Sequence, residues 1–371
     1  MNTFYKTSDS FKQGSFTLPQ KYYIEKNIFS LETDKIFYKK WLCCGRSEEL
    51  NNCGDYKIVR VGNESIIIAR DNNNSLQAFY NICRHRGTQL CSTTKGSFTN
   101  KIKCPYHGWS YNLQGNLRGA PNMDKVTEFN RNDYSLHTIS IIDWEGFIFI
   151  NLSENSKNFI SENKSILLFF NDWELNKLKI IKNKKYLIDC NWKLIIQNYS
   201  ECYHCPIIHP ELAKVTPYTG GKNNFIKGKF LGGYMELNAD SVTHDGKYSG
   251  PIIGKLKKEN LQRVYYYSFF PNLLISLHPD YVMIHIINPI NCSRSQVDCY
   301  WLFSKEVIEN KKYNPNSAIK FWDKINKEDW KVCEQSQIGI KSRKYKPGPY
   351  SAQESLLAAY DEYYLDIINQ D

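Results

Sequence analysis

The segments Cys83-Arg84-His85 and Cys104-Pro105-Tyr106-His107 decide the fold of the first part of this chain. Each segment joins one thiol to one imidazole, with one or two residues between them. Two thiolates and two imidazoles form the donor set of a [2Fe–2S] cluster in which both histidines bind the same iron. Because imidazole brings no negative charge, the reduction potential of such a cluster rises, which suits single-electron transfer. The predicted cluster ligands are Cys83, His85, Cys104 and His107.

Zinc is the alternative occupant of this motif, since cysteine and histidine also bind zinc. Zinc ribbons repeat C-x₂-C, whereas this chain has C-x-H followed by C-x₂-H. Gly87 and Gly108 follow the two pairs, and a glycine lets each ligand loop bend back on itself. We therefore favour the iron–sulfur cluster over zinc.

Length and composition allow two or three globular domains, with 371 residues of which 42% are hydrophobic. No apolar run approaches the roughly 18 residues of a membrane span. The start, Met1–Lys6, has no apolar core, so we expect no secretory signal. The twelve cysteines are scattered, and several lie in apolar stretches, as free core thiols do. These features predict free cysteines, a cytoplasmic protein and no membrane partner.

The formal charge of +10 raises the question of nucleic-acid binding. The lysines are spread over segments such as 180–185, with no sustained basic stripe interleaved with aromatic residues. We therefore expect a solvated basic surface and no nucleic-acid partner. A basic patch that steers an acidic electron-donor protein is a second interpretation of the same charge.

The chain reads as an α+β protein with a change of character near Trp41. Residues 1–40 form a lead-in with a predicted helix over Ile24–Lys40. Short strands bounded by turn residues predict a small all-β domain over 41–152, and 153–371 predicts an antiparallel sheet with terminal helices. Other predicted strands and helices are Glu64–Arg70, Phe147–Leu152, Tyr186–Trp192, Lys193–Tyr203, Leu273–Leu277, Ser317–Gln335 and Ala352–Ile368.

A second constellation of candidate metal ligands follows Asn191-Trp192-Lys193. Glu201 and His204 are three residues apart, so a helix would place them on one face. Pro206 favours a break that would bring His209 back towards His204. Two imidazoles and a distant carboxylate can hold iron(II) and leave positions open for O₂ and substrate. The remaining histidines have no ligand-like spacing and are predicted to be structural: His137, His244, His278 and His285.

With both motifs in this order, the chain resembles the catalytic α subunits of the Rieske-type non-haem iron oxygenases from about Trp41 onwards. The resemblance implies a Rieske domain and a helix-grip-like catalytic domain with a C-terminal helix. It also implies that the [2Fe–2S] ligands are those named above and that His204 and His209 bind the mononuclear iron. The third ligand is a carboxylate from a C-terminal helix, for which we favour Asp329, with Asp323 and Glu328 as competitors.

Glu201 corresponds to the acid that, in this family, links the two metal centres across neighbouring subunits, which implies a homotrimer. The string Glu201-Cys202-Tyr203-His204-Cys205 is similar to the choline, glycine-betaine and carnitine oxygenase branch. The resemblance therefore implies hydroxylation and N-demethylation of a quaternary ammonium compound. A ring of aromatic side chains would then bind the ammonium group, with candidates Tyr218, Tyr234, Tyr265, Tyr266, Tyr267, Phe269 and Phe270.

The electrons must come from a partner, because no G-x-G-x-x-G segment follows a predicted strand. We expect a separate NAD(P)H-dependent reductase of the flavin/[2Fe–2S] type. The alternatives are an aromatic-ring hydroxylase with the same iron site, a Rieske protein that only transfers electrons, and a metal-dependent binding or structural protein. The electron-transfer protein would need none of Glu201, His204 and His209, and a binding protein would consume no oxygen with substrate.

Overall fold

The computed structural model describes residues 3–370 and confirms the α+β class. In chain order the strands are β1 (Tyr5–Lys6), β2 (Leu42–Arg46), β3 (Asp55–Val61), β4 (Glu64–Arg70), β5 (Leu76–Tyr80), β6 (Lys95–Ser97), β7 (Ile102–Lys103), β8 (Ser110–Tyr111), β9 (Leu117–Gly119), β10 (Ser140–Trp144), β11 (Phe147–Asn151), β12 (Leu178–Ile188), β13 (Lys222–Lys227), β14 (Phe230–Glu236), β15 (Arg263–Phe269), β16 (Leu273–Leu277), β17 (Tyr281–Asn291) and β18 (Arg294–Ser304).

The α-helices are α1 (Lys21–Ile24), α2 (Lys26–Glu32), α3 (Phe159–Phe169), α4 (Trp192–Tyr199), α5 (Cys205–Ile208), α6 (Pro210–Val215), α7 (Glu306–Glu309), α8 (Pro315–Ile340) and α9 (Ser355–Ile368). A π-helical turn, Thr33–Phe37, follows α2. None of the helices in residues 3–370 is long and apolar enough to cross a membrane.

The chain divides into two compact units. One unit spans Phe37–Glu162 and contains three small antiparallel sheets, with strand orders β5-β4-β3-β6, β10-β11-β2 and β7-β8-β9. The strands β2 and β11 are buried along their whole length, whereas β6 is exposed. Phe79, Trp109 and Tyr111 lie in the core of this unit, each at most 2% exposed.

The other unit combines Met1–Ile36 with Asn163–Asp371. Its eight-stranded antiparallel sheet has the order β1-β13-β14-β15-β16-β17-β18-β12. The central strands β16 and β17 are buried along most of their length, so both sheet faces are covered. The helix α8, 26 residues long, contacts both β12 and α4.

The N-terminal segment is tied into this unit by a buried ion pair. Glu32 and Lys193 are both 0% exposed, and the Lys193 ammonium donates to the Glu32 carboxylate. Trp192 Nε1 and the Tyr364 hydroxyl also donate to Glu32, at 2.9 and 2.6 Å. Removing one partner would leave an uncompensated buried charge, which costs about 3–5 kcal/mol. The contacts of Glu32 therefore connect α2, α4 and α9.

Local predictions hold best where the turn residues are explicit. The strands Glu64–Arg70 and Leu273–Leu277 are confirmed to the residue. The helix predicted over Ile24–Lys40 is wrong as a single element, because Glu25 is extended and separates α1 from α2. The strand predicted over Tyr186–Trp192 ends at Ile188.

Candidate active site

The two cluster loops have the same backbone turn. The amide of Gly87 donates to the carbonyl of Cys83 at 3.0 Å, and the amide of Gly108 donates to the carbonyl of Cys104 at 3.2 Å. The φ angles of the two glycines are +70° and +72°, in the left-handed region that favours glycine. The glycine turns predicted from sequence are therefore present in both loops.

Both cluster loops bury their cysteine and expose their histidine. Cys83 and Cys104 are both 2% exposed, whereas His85 and His107 are exposed with ring centroids 4.7 Å apart. The Tyr111 hydroxyl lies 3.4 Å from the Cys83 sulfur, where it can donate to a thiolate. Two buried sulfurs and two exposed imidazoles fit the donor set that would hold a Rieske cluster.

The surroundings of His85 favour the neutral imidazole that a metal ligand requires. Burial and the positive charges that His107 and Arg86 can carry lower the pKa of His85. A neutral ring keeps a lone pair available for the metal.

The second constellation lies where helical structure is interrupted. The helix predicted over Lys193–Tyr203 is too long, since α4 ends at Tyr199 and Glu201 lies in the following loop. Pro206 does not break a helix; it lies in the first turn of α5, where its missing N–H has no partner to lose. The break falls at His209, whose φ and ψ of −125° and +61° separate α5 from α6.

Two histidines and one carboxylate converge at this interruption. One ligand atom each from His204, His209 and Asp329 lie within 4.8 Å of one another. Asp329 Oδ1 is 2.8 Å from His209 Nε2 and 3.3 Å from His204 Nε2. This donor set matches the two-histidine, one-carboxylate arrangement of non-haem iron(II) sites. The residues present therefore fit a mononuclear iron held by both Nε2 atoms and the Asp329 carboxylate.

Each histidine is oriented by a further carboxylate. Glu201 Oε1 lies 2.5 Å from His204 Nδ1, and Glu328 Oε2 lies 2.7 Å from His209 Nδ1. Such partners fix the tautomer with the proton on Nδ1 and leave Nε2 free for a metal. Burial lowers the pKa of His204, but the hydrogen bonds that His204 makes to Asp329 and Glu201 outweigh burial and raise the pKa to about 10. A metal at Nε2 would take the place of a proton there.

The two competitors for the third ligand are placed elsewhere. Glu328 points to the far nitrogen of His209, a role that spacing alone did not suggest. Asp323 accepts hydrogen bonds from Lys184, Tyr186 and Lys327, at 2.6–2.7 Å. Burial raises the pKa of Asp323, but these donors outweigh it and lower the pKa to about 2. Asp323 therefore forms ion pairs, and it lies more than one helix turn before Asp329 on α8.

A cavity opens beside this triad, with an empty volume of about 1060 Å³ including its mouth. Its aromatic lining comes from the sheet, the α4–α6 region and α8: Tyr199, Tyr203, Tyr218, Tyr234, Tyr266, Trp322 and Trp330. Apolar side chains add to it: Leu212, Leu231, Met235, Met283, Ile325 and Leu356. None of the described lining residues is lysine or arginine, whereas Glu201 and Asp329 bring carboxylates.

Strand alternation decides which predicted aromatic residues reach the cavity. Tyr266 and Ser268 of β15 line it, so Tyr265, Tyr267 and Phe269 face the opposite side of the sheet. Tyr218 and Tyr234 also line it as expected, and Phe270 does not. Four aromatic residues that line the cavity were not predicted from the sequence: Tyr199, Tyr203, Trp322 and Trp330. The first two lie within two residues of Glu201, and that proximity was the available signal.

One cysteine pair departs from the expectation of free thiols. Cys202 and Cys205, on either side of His204, form a disulfide. The other ten cysteines are free, including both cluster cysteines. The C-x-x-C spacing in the string Glu201–Cys205 was the available signal.

Comparisons with protein families identify two domains in this chain. Residues 175–370 match the family described as ring hydroxylating alpha subunit (catalytic domain), and residues 40–130 match the Rieske [2Fe-2S] domain. The chain belongs to the ring-hydroxylating α-subunit family and carries a Rieske domain. It is a Rieske non-haem iron oxygenase whose cofactors are a [2Fe–2S] cluster and a mononuclear iron, and it depends on a reductase for electrons.

Several individual proteins are similar to this chain over most of its length. The glycine betaine monooxygenase oxygenase subunit of Pseudomonas aeruginosa is 29% identical over 92% of this chain and 86% of that protein. The carnitine monooxygenase oxygenase subunit of Escherichia coli is 29% identical over 90% and 87%. The crystal structure of the quaternary ammonium Rieske monooxygenase CntA with an inhibitor has a TM-score of 0.80 at 25% identity, covering 96% of both chains.

Proposed function

We propose that this chain is the terminal oxygenase that hydroxylates and N-demethylates a small quaternary ammonium compound. The observation that carries the proposal is the aromatic lining of the cavity beside the triad His204, His209 and Asp329. A trimethylammonium group is attracted to ring faces, and more strongly where water is excluded. The carboxylates of Glu201 and Asp329 favour a cation further. The relatives named for glycine betaine and carnitine support the same substrate class.

The residues have separate roles in this proposal. Cys83, His85, Cys104 and His107 hold the cluster that receives single electrons. The mononuclear iron, when bound by His204, His209 and Asp329, supplies the activation of O₂. The rings would hold the cation in the cavity beside His204, His209 and Asp329, and the apolar side chains would keep bulk water out.

The overall reaction balances with one reductant molecule. One C–H bond of an N-methyl group becomes C–OH with one atom of O₂, and the other atom leaves as water with two electrons and two protons. The N–CH₂OH product then breaks its C–N bond and yields formaldehyde, the demethylated amine and a proton. NAD(P)H supplies the two electrons through the separate reductase, which we propose to be of the flavin/[2Fe–2S] type.

Glu201 is a positioning residue for His204 and, in our proposal, also the bridge to the cluster of a neighbouring subunit. A bridge of this kind requires a ring of subunits, so we propose a homotrimer. Glu201→Gln should leave both metal centres loaded but slow the reoxidation of the cluster by O₂ and substrate. Stopped-flow absorbance of the reduced cluster measures this rate, and a rate equal to that of the unchanged protein contradicts the bridge.

The functional domains that we propose are 41–152 for the cluster and 153–371 for catalysis, with 1–40 packing on the catalytic domain. The contacts of Glu32 support the last assignment. We propose a cytoplasmic location, where the NAD(P)H-dependent partner would also be found.

A single turnover tests the substrate class without the reductase. The anaerobic protein, reduced with dithionite, is exposed to O₂ with choline, carnitine, glycine betaine or an aromatic acid. Formaldehyde and a demethylated amine from one quaternary ammonium compound are the expected products. A hydroxylated aromatic acid with no product from any ammonium compound would instead establish a ring hydroxylase, for which the apolar part of the cavity is suited.

A further inference from the structure

His285 lies on β17 and reaches the cavity from the sheet. It is 2% exposed, and Met283, two residues earlier on the same strand face, also lines the cavity. Sequence spacing placed this histidine among the structural ones. Because His285 lines the proposed substrate cavity, its hydrogen-bonding groups bear on which substrate binds there.

The hydrogen bonds of Asn326 fix the tautomer of His285. Asn326 Nδ2 donates towards the Cys299 sulfur at 3.7 Å, so the amide oxygen Oδ1 faces the ring. His285 Nε2 lies 3.0 Å from that oxygen and must carry the proton. Burial lowers the pKa of His285 to about 4, so the ring is neutral at pH 7. The opposite nitrogen, Nδ1, is therefore a lone-pair acceptor.

A complementary donor lies on α8. The indole Nε1 of Trp330 is buried and, like His285 Nδ1, has no hydrogen-bond partner among residues 3–370. Both side chains line the cavity, and their ring centroids are 5.8 Å apart at an interplanar angle of 89°. Of the buried side-chain nitrogen and oxygen atoms without a partner in the described residues, only these two belong to cavity-lining residues.

The unpaired acceptor and the unpaired donor, on rings whose centroids lie 5.8 Å apart, together match the hydrogen-bonding pattern of one alcohol. A hydroxyl can donate to His285 Nδ1 and accept from Trp330 Nε1, whereas a quaternary ammonium group can do neither and a carboxylate is repelled by the lone pair. Leaving both buried atoms unpaired costs free energy, which a substrate hydroxyl would recover.

We propose that His285 and Trp330 form a hydroxyl-recognition site, so that the substrate is a quaternary ammonium compound that also carries an alcohol group. The inference rests on the proposed function and narrows its substrate class. It distinguishes choline and carnitine, which have a hydroxyl, from glycine betaine, which has none. The aromatic side chains hold the cation, and the histidine–indole pair orients the rest of the molecule.

A matched substrate pair tests the inference. Choline and propyltrimethylammonium have nearly the same shape, with a hydroxyl in the first where the second has a methyl group. In single turnovers at limiting substrate, we expect the unchanged protein to consume choline about ten- to a hundredfold more efficiently, because the analogue leaves both atoms unpaired. Equal efficiency, as expected if water satisfies both atoms, overturns the inference.

Variants assign the preference to His285. His285→Leu should bring the ratio of the two efficiencies close to one, with the cluster spectrum and iron content unchanged. His285→Gln keeps an amide acceptor and should retain part of the preference, which also covers the case that the leucine variant fails to fold. Met283→Leu, on the same strand face, is the matched control and should change both efficiencies alike.

The outcomes separate this inference from the proposed function. Turnover of both ammonium compounds without a preference removes the hydroxyl site and leaves the proposed function standing. A preference that persists in both His285 variants overturns the role of His285. Turnover of no quaternary ammonium compound overturns both proposals.

Discussion

The two metal-binding regions of this chain are built in opposite ways. The cluster donors come from two equivalent loops, 83–87 and 104–108, closed by the same glycine turn. The second site joins His209 to Asp329, which are 120 residues apart in the chain. The first region needs little more than local backbone geometry, whereas the second exists only when α8 is packed against the α4–α6 region. Local sites can be recognised from spacing, and assembled sites require the tertiary fold.

The largest effect that we expect concerns the local site. Cys104→Ser should abolish the visible absorption and the EPR signal of the reduced cluster, because the hydroxyl of serine does not replace a thiolate ligand in a Rieske cluster. The second site should still bind one iron, since none of its ligands comes from these loops. Cys53→Ser, which changes an exposed free cysteine in the same unit, is the control and should keep the full spectrum.

Asp329→Ala should produce the converse result. The variant should keep the cluster spectrum but lose the mononuclear iron and all turnover, because two histidines alone leave the metal without its charged ligand. Metal analysis by mass spectrometry measures the loss. Asp323→Ala removes an acid of the same helix whose partners are lysines and a tyrosine. Normal iron content in Asp329→Ala together with loss in Asp323→Ala would reverse our assignment.

A smaller effect is expected from the carboxylate behind His209. Glu328→Gln keeps the shape but weakens the acceptor for Nδ1, so the affinity for iron(II) should fall by about tenfold. Titration of the metal-free second site with cobalt(II), followed by its visible bands, reports the affinity without turnover. Glu334→Gln, on the same helix, is the matched control. An unchanged cobalt affinity in Glu328→Gln would show that His209 is oriented by packing alone.

These differences explain what the sequence could predict. The predicted cluster ligands and both predicted iron histidines lie in short motifs whose spacing reflects local backbone turns. Asp329 was favoured over its neighbours only through a family resemblance, because no local rule relates α8 to the α5–α6 break. The acceptor for His285 Nε2 and the unpaired indole N–H of Trp330 depend on which side of β17 and α8 faces the cavity, which no spacing reveals.

The smallest expected effect concerns Asp361, a buried acid of α9. Asp361 accepts hydrogen bonds from Gln197 and Tyr350, both at 2.7 Å, and burial raises its pKa to about 7. Since the unfolded value is about 3.9, the folded state loses stability as the pH rises from about 4 to 7. Asp361→Asn removes this loss.

Thermal unfolding at pH 5 and pH 7.5 measures the effect of Asp361→Asn. The melting temperature of the variant relative to the unchanged protein should rise by a few degrees between the two pH values. A constant difference would show that Asp361 is ionised throughout this range. Asp366→Asn is the control. It changes an acid of the same helix that is not part of the hydrogen bonds of Asp361, and it should show no pH-dependent difference.

Iron and acid-labile sulfide, counted together, test most directly the claim that one chain carries two separable metal centres. The anaerobically purified protein should contain three irons for every two sulfides, two irons in the cluster and one in the second site. The double variant Cys83→Ser/Cys104→Ser should contain one iron and no sulfide. Two irons for two sulfides in the unchanged protein, with none in the double variant, would contradict the account and leave a chain that only transfers electrons.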